Sequence, residues 1–223
     1  MKQSTFSARH LLFDLDGTLT DPGLGIFRCI RHALEQLEIT PPSETVLRKC
    51  IGPPLHESFA DILQVPRDRV DAAVAAYRQM YAPTGMWENV IYPGIDDLLS
   101  TLENDGFILW VATSKPETFA RPILERFRLS SYFRRIYGSE LDGTRTNKGD
   151  LIEHLLRLEC ISPLDAVMVG DRKHDIVGAK HNKLRSIGVT WGYGSPEELR
   201  DAGADSIVET PLQLLELINL KGQ

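Results

Sequence analysis

Apolar positions along this chain change their period several times, and each change marks an element. Leu11-Leu12-Phe13 is a short continuous apolar run, the pattern of a strand buried on both faces. Beyond Asp21-Pro22-Gly23, the residues Ile26, Ile30, Ala33, Leu34 and Leu37 recur at three- and four-residue steps, which predicts an amphipathic helix. Thr40-Pro41-Pro42-Ser43 breaks it. A short helix is predicted around Glu44–Cys50 and another over Leu55–Leu63, with the rigid loop Ile51-Gly52-Pro53-Pro54 between them. A longer helix is predicted over Arg67–Tyr81, with Val70, Ala73, Val74, Tyr77 and Met80 on one face. From about Pro22 to Trp87 the pattern is helical throughout, about the size of a small independent unit.

The character changes again at Tyr92-Pro93-Gly94. Ile95, Leu98, Leu99 and Leu102 mark a helix that stops at Asp105-Gly106. Phe107–Ala112 is a continuous apolar run, a buried strand, and Pro116–Phe127 is helical with a possible kink at Pro122. A short strand is predicted at Arg135–Gly138. Further predicted elements are helix Asn147–Leu158, strand Ala166–Val169, helix His174–Asn182, strand Arg185–Val189, helix Pro196–Ala202, strand Ser206–Val208 and helix Pro211–Leu220. Alternation of strands and helices predicts an α/β fold: a Rossmann-like parallel sheet with helices on both faces. The helical stretch interrupts it after the first strand. The expected organisation is a discontinuous α/β core, 1–20 and 88–223, and an inserted α-helical cap, 21–87.

Composition narrows the class of partner. The 223 residues are 42% hydrophobic and 25% charged, an ordinary globular balance. Lys plus Arg is 25 against 31 for Asp plus Glu, a net charge of −6, and no basic block is long enough to track a nucleic-acid backbone. Nucleic-acid polymers are therefore not expected partners, whereas a small anion in a local positive pocket is. No apolar run is long enough to span a bilayer, and MKQSTFSARH has no apolar segment of signal-peptide length. Cys29, Cys50 and Cys160 are widely spaced and odd in number, which reads as reduced thiols in a cytoplasmic protein. A monomer or homodimer is expected.

The candidate chemistry sits at predicted strand ends, where ligands of parallel sheets bind. Asp14 and Asp16 leave the first strand two residues apart, so both point into one small volume. Gly17 lets the chain turn there. Two close carboxylates need a cation between them, or one keeps its proton, and either state suits phosphoryl transfer. An acidic turn with capping aspartates is the alternative. Thr113 and Ser114 end the second long strand, placed to hold a phosphate oxygen or to cap the next helix. Lys148, at a helix start, is a phosphate-binding candidate or a solvated lysine, and Lys115 competes with it for that place. Asp171 and Asp175 follow the strand ending Val169-Gly170; Asp175 could orient a metal-bound water or cap the helix. His174 reads as a solvated helix-start residue.

Asp14-Leu15-Asp16-Gly17-Thr18 resembles the first motif, Asp-x-Asp-Gly-Thr, of the haloacid dehalogenase-like phosphohydrolases, and Thr113, Lys148 and Gly170-Asp171 with Asp175 resemble its later motifs in the same order. The resemblance covers the whole core and implies a strand order 5-4-1-2-3. It implies an aspartyl-phosphate on Asp14, acid–base transfer by Asp16, phosphate contacts from Thr113, Ser114 and Lys148, and Mg²⁺ held by Asp14, Asp171 and the carbonyl of Asp16. Its helical insert would act as a lid. In that lid Arg48 and Lys49 resemble the substrate-specificity loop of phosphoglycolate phosphatase-like caps, and Phe59, Tyr81, Trp87 and Tyr92 include candidates to stack on a base. The chain looks most like bacterial nucleoside 5′-monophosphatases within this superfamily. Phosphoglycolate phosphatases, β-phosphoglucomutase-like mutases and a non-catalytic phosphate-binding module are the alternatives. A small phosphorylated metabolite is the implied partner.

Overall fold

The computed structural model describes residues 8–219; the N-terminal segment 1–7 and Leu220 of the last predicted helix lie outside the described residues. Strand β1 (His10–Phe13) is the centre of the sheet. It pairs in parallel with β4 (Ile108–Pro116) on one side and β6 (Ala166–Gly170) on the other, His10 standing opposite both Ile108 and Ala166. Outward from β4 comes β5 (Phe133–Ser139); outward from β6 come β7 (Arg185–Val189) and β8 (Ser206–Val208). The order β5-β4-β1-β6-β7-β8 contains the expected 5-4-1-2-3 arrangement, with β8 as a sixth strand at one edge.

Both faces of the sheet are covered, and the alternation of side chains along β1 divides them. Leu11 and Phe13 point to one face, where α5 (Ile95–Asn104), α6 (Glu117–Arg126) and α10 (Pro211–Asn219) bring Leu98, Leu102, Leu124 and Leu214. Leu12 points to the other, packed with Trp110, Met168 and the apolar stripe of α7 (Lys148–Leu158), Leu151, Ile152 and Leu155. This is why β1 reads as an unbroken apolar run rather than an alternating one.

Between β1 and α5 the chain forms a separate helical layer. A two-stranded antiparallel ribbon, β2 (Thr20–Asp21) with β3 (Val90–Ile91), holds its two ends together. Each ribbon strand is two residues long, too short for any periodicity to announce. Helices α1 (Gly23–Gln36), α2 (Glu44–Arg48), α3 (Leu55–Glu57) and α4 (Val70–Tyr81) share one apolar core built on Ile30, Leu34, Leu47, Phe59, Val74 and Tyr77. Ile123 of α6 enters that same core, so the layer is seated on the sheet domain through a helix of the latter.

Four sequence expectations shift. The single helix predicted over Leu55–Leu63 is α3 followed by a π-helical turn, Ser58–Ile62, in which the N–H of Leu63 reaches back five residues to Ser58 at 2.9 Å. The wider turn carries Phe59 into the core. On α4 it is Tyr81, not Met80, that is fully buried. The strand predicted to end at Ala112 continues to Pro116, because a bulge between Thr113 and Pro116 keeps it alongside β5. Helix α6 continues through Pro122 rather than breaking there.

The tightest seam in the helical layer is where α1 starts against the turn Gly85–Trp87: a Cβ on Gly25 would lie 2.0 Å from the Gly85 carbonyl oxygen. Gly25→Ala should therefore push α1 off that turn at a cost of about 1–3 kcal/mol. The expected readout is a melting temperature lower by about 3–10 °C in thermal denaturation. An unchanged melting temperature would show that the seam yields freely.

Candidate active site

The C-terminal ends of β1, β4 and β6 converge with the start of α7. Asp14, directly after β1, is buried. The tight turn that follows brings the N–H groups of Thr18, Leu19 and Thr20 back onto the Leu15 carbonyl. Gly17 adopts φ +88° in that turn, and a Cβ there would lie 2.2 Å from Oδ2 of Asp171. Its lack of a side chain is what lets the loops after β1 and β6 approach so closely.

Lys148 is the first residue of α7. Asn147 caps the helix, its Oδ1 accepting from the N–H of Gly149 at 2.8 Å, and this fixes where the lysine leaves the backbone. The Lys148 ammonium lies 2.8 Å from Oδ1 of Asp14 and 2.7 Å from Oδ1 of Asp175, and it donates to the Ala112 carbonyl at 2.9 Å. Burial works against its charge, but the two carboxylates overcome that and hold its pKa above the ordinary lysine value.

Asp175 takes the helix-capping role weighed for it from sequence and adds a pairing with Lys148 that the sequence did not suggest. Its Oδ2 accepts from the Arg172 N–H at 3.1 Å at the start of α8 (Lys173–His181), and its other oxygen pairs with Lys148. Burial pushes its pKa up to about 6, against the pull of Lys148. Asp171 is fully buried; it accepts from the Tyr193 N–H at 2.8 Å and from the Thr18 hydroxyl at 3.4 Å. Burial, then the charges of Asp175 and Asp14, raise its pKa well above the usual carboxylate range.

Oxygen atoms of Asp14, Asp171 and Asp175 all lie within 4.8 Å of one another. Three buried carboxylates thus face one ammonium, and the cluster carries an excess of negative charge that a bound cation would offset. The donors are all oxygens, which suits a hard divalent ion rather than a thiolate- or imidazole-seeking metal. The Asp16 carboxylate is not in this cluster; it turns to the opposite side and pairs with Lys115. Burial raises the Asp16 pKa in spite of that partner.

The choice between Lys115 and Lys148 therefore dissolves, since both enter the site on different carboxylates. Position in the sequence favours Lys148 over Lys115, which remains a rival able to point at the substrate. The bulge in β4 re-aims Lys115. Gly138 on β5 makes room, since a Cβ there would lie 2.6 Å from the Lys115 carbonyl oxygen. Thr113 is buried beside the cleft, its hydroxyl oxygen accepting from the Lys115 N–H at 3.2 Å, which leaves the hydroxyl hydrogen available. Ser114 lines the same cleft, its carbonyl held by the Ser139 hydroxyl at 2.8 Å.

The cleft above these residues is small, with a cavity volume of about 100 Å³. Its helical side presents Tyr77, Tyr81, His56 and Arg78, and its sheet side Phe119. Arg48 and Lys49 are not among the residues that line it. Arg48 sits at the end of α2 with its guanidinium 4.8 Å from the centre of the Tyr193 ring, which holds it outside the cleft. Of the aromatic candidates, Tyr81 reaches the cleft, Phe59 is core, and Trp87 lies under Arg126. His174 is half-buried rather than solvated; burial and the nearby Arg172, Lys173 and Lys148 push its pKa down to about 4.

Comparison with known proteins gives a consistent family. A family model described as haloacid dehalogenase-like hydrolase matches residues 11–189. The 5′-nucleotidase of Pseudomonas aeruginosa is 46% identical over 200 residues, 90% of this chain and 90% of that protein. The tyrosine-protein kinase PtkA of Mycobacterium tuberculosis is 39% identical over 188 residues, 84% of this chain but 64% of that longer protein. A crystal structure of a predicted phosphatase from Clostridium acetobutylicum superposes with a TM-score of 0.92 at 43% identity, covering 96% of this chain and 99% of that one.

The raised carboxyl pKa values have a thermodynamic sign. In the cation-free fold Asp16, Asp171 and Asp175 keep their protons to higher pH than in the unfolded chain. From the ordinary carboxylate value near ~4 up to about 6 for Asp175, and beyond for Asp171, the fold binds more protons than the unfolded chain. Stability without a cation therefore falls as pH rises through that window. A divalent cation at about 100 times its Kd should raise the melting temperature by about 5–10 °C at neutral pH, and by less near pH ~5. Asp171→Asn should raise the cation-free melting temperature at neutral pH and abolish the cation response. Differential scanning fluorimetry against a chelator measures both, and an equal cation shift at both pH values would refute this charge account.

Proposed function

The chain belongs to the haloacid dehalogenase-like hydrolases and is a phosphatase; on that premise we propose that it hydrolyses nucleoside 5′-monophosphates, with Asp14 as nucleophile and Mg²⁺ as cofactor. The observation that carries the hydrolytic part is Lys148, whose ammonium lies 2.8 Å from one oxygen of the buried Asp14 and so fixes that side chain at the end of β1, against the cleft. The observation that favours a nucleotide is the aromatic wall of the cleft, Tyr77, Tyr81 and Phe119, a surface of the kind on which a base packs.

In this reading the Asp14 carboxylate attacks phosphorus while the bond to the leaving oxygen breaks, giving an aspartyl-phosphate. Asp16 donates a proton to the leaving oxygen and then takes one from the water that hydrolyses the intermediate. Lys148, the Thr113 hydroxyl and the Ser114 N–H meet the phosphoryl oxygens, whose charge grows in the transition state. Asp14, Asp171 and the Asp16 carbonyl would hold Mg²⁺, which supplies positive charge next to the phosphoryl group. Asp175 keeps Lys148 and the start of α8 in place. The helical segment 21–87 serves as a lid that excludes water and reads the leaving group.

A second reading, 2-phosphoglycolate as substrate, is favoured by Arg78 and His56 on the lid side of the cleft, which suit a leaving group bearing a carboxylate. A phosphomonoester screen with Mg²⁺, scored by kcat/KM and by release of inorganic phosphate, separates the two. Nucleoside 5′-monophosphates should exceed 2-phosphoglycolate by about tenfold or more, equivalent to one or two additional contacts. The reverse order would transfer the assignment to phosphoglycolate. Asp14→Asn should keep the melting profile and lower kcat by about 10³-fold or more. Turnover near that of the wild type would remove Asp14 as nucleophile.

A further inference from the structure

The bulge that re-aims Lys115 gives it two partners from opposite sides of the cleft. Its ammonium pairs with Oδ2 of Asp16, on the sheet side, and donates to the Tyr81 hydroxyl oxygen at 2.6 Å. Tyr81 is the last residue of α4 in the helical layer. Its ring is held on two sides: stacked on Tyr77 at 5.1 Å and 17°, and edge-on to Phe119 at 5.3 Å and 79°. All three members of the Asp16–Lys115–Tyr81 chain are buried.

The consequence for Asp16 is asymmetry. Oδ2 is pinned to Lys115, while Oδ1 is buried and has no hydrogen-bond partner. An unpartnered buried carboxylate oxygen is costly, and such oxygens persist where a ligand completes them. Asp16 lines the cleft, so substrate can reach it.

We infer that Lys115 and Tyr81 are positioning residues that fix the Asp16 carboxyl with Oδ1 as the oxygen exchanging protons with substrate, so that the helical layer completes the acid–base machinery through the Tyr81 hydroxyl. This deepens the proposed function and rests on it. As the phosphorus–oxygen bond breaks, its electron pair goes to the leaving oxygen and the proton on Oδ1 follows to the same atom. When water then attacks the aspartyl-phosphate, one water proton passes to Oδ1 and the electron pair of the breaking bond returns to the Asp14 carboxylate. Lys115 and Tyr81 exchange no proton at either stage.

A nucleoside leaves as a basic alkoxide and needs the proton, whereas p-nitrophenolate leaves without one. The test is single-turnover rapid quench, which reads leaving-group release before hydrolysis of the intermediate. In Tyr81→Phe, which keeps the ring, nucleoside release from a nucleoside 5′-monophosphate should slow about tenfold more than p-nitrophenolate release from p-nitrophenyl phosphate. Lys115→Met should widen that ratio further. Equal slowing of both leaving groups, or no slowing of either, overturns the inference, since a merely structural role would not distinguish them.

A second measurement does not depend on turnover. Acylation of lysines by an N-hydroxysuccinimide acetate, read by mass spectrometry, should label Lys115 at least about threefold faster in Tyr81→Phe than in the wild type. Identical Lys115 labelling overturns the positioning chain. A wild type that releases neither leaving group refutes the proposed function, and the labelling then still decides whether Tyr81 holds Lys115.

Discussion

One ammonium group ties together the elements that meet at the C-terminal edge of the sheet. Lys148 Nζ is shared by Asp14, by Asp175 and by the Ala112 carbonyl, and so ties α7 to the ends of β1 and β4 and to the start of α8. Buried carboxylates at about 4 Å repel each other by about 4 kcal/mol at an effective dielectric near 20. Three of them could not gather at one edge of a sheet without a cation supplied by the fold. The lysine is itself positioned by a local device, the Asn147 cap, so the geometry of the centre depends on how one helix begins. One ammonium beside three carboxyl groups, two of which it pairs with, leaves the cluster short of positive charge, and that imbalance is the physical reason a cation would be stabilised there.

The central strand and its motif were legible because both rest on local rules. Leu11-Leu12-Phe13 is buried on both faces, and Asp14 and Asp171 follow strands at the sheet edge where ligands bind. Lys148 was legible because its capping residue precedes it. Lys115 was not, since its direction depends on a bulge between Thr113 and Pro116 that is set by pairing with β5 and by room at Gly138. Those are facts about a neighbouring strand. The ribbon of β2 and β3 escaped notice for a similar reason: its pairing partners are seventy residues apart in sequence and two residues long. Arg48 and Lys49 show the limit of a local reading: a basic pair beside a glycine-proline loop suggests substrate contact, while the partner that engages Arg48, the ring of Tyr193, comes from the far end of the chain.

The helical layer is joined to the sheet domain by contacts of three kinds. Ile123 of α6 sits in its apolar core, the Arg172 guanidinium donates to the Ile51 carbonyl, and Lys115 donates to Tyr81. The first is nondirectional and tolerates small rotations. The other two are directional and break with them. Opening of the layer about the β2–β3 ribbon would therefore disconnect polar contacts near the reacting groups before the apolar seat is lost. On the function proposed above, that ordering would release Asp16 from its fixed position as the cleft opens.

The loop that closes over Asp171 carries an aromatic residue whose placement has a practical meaning. Trp191 donates its indole N–H to the Thr18 carbonyl at 2.9 Å, while the backbone N–H of Tyr193, two residues on, holds Asp171 at 2.8 Å. An indole bonded into the same turn that carries the acidic cluster feels the local field whenever that cluster gains or loses charge. Trp191 thus stands as a native optical probe beside the acidic cluster, and with Trp87 and Trp110 replaced by phenylalanine its emission should report a change of charge there without an attached dye.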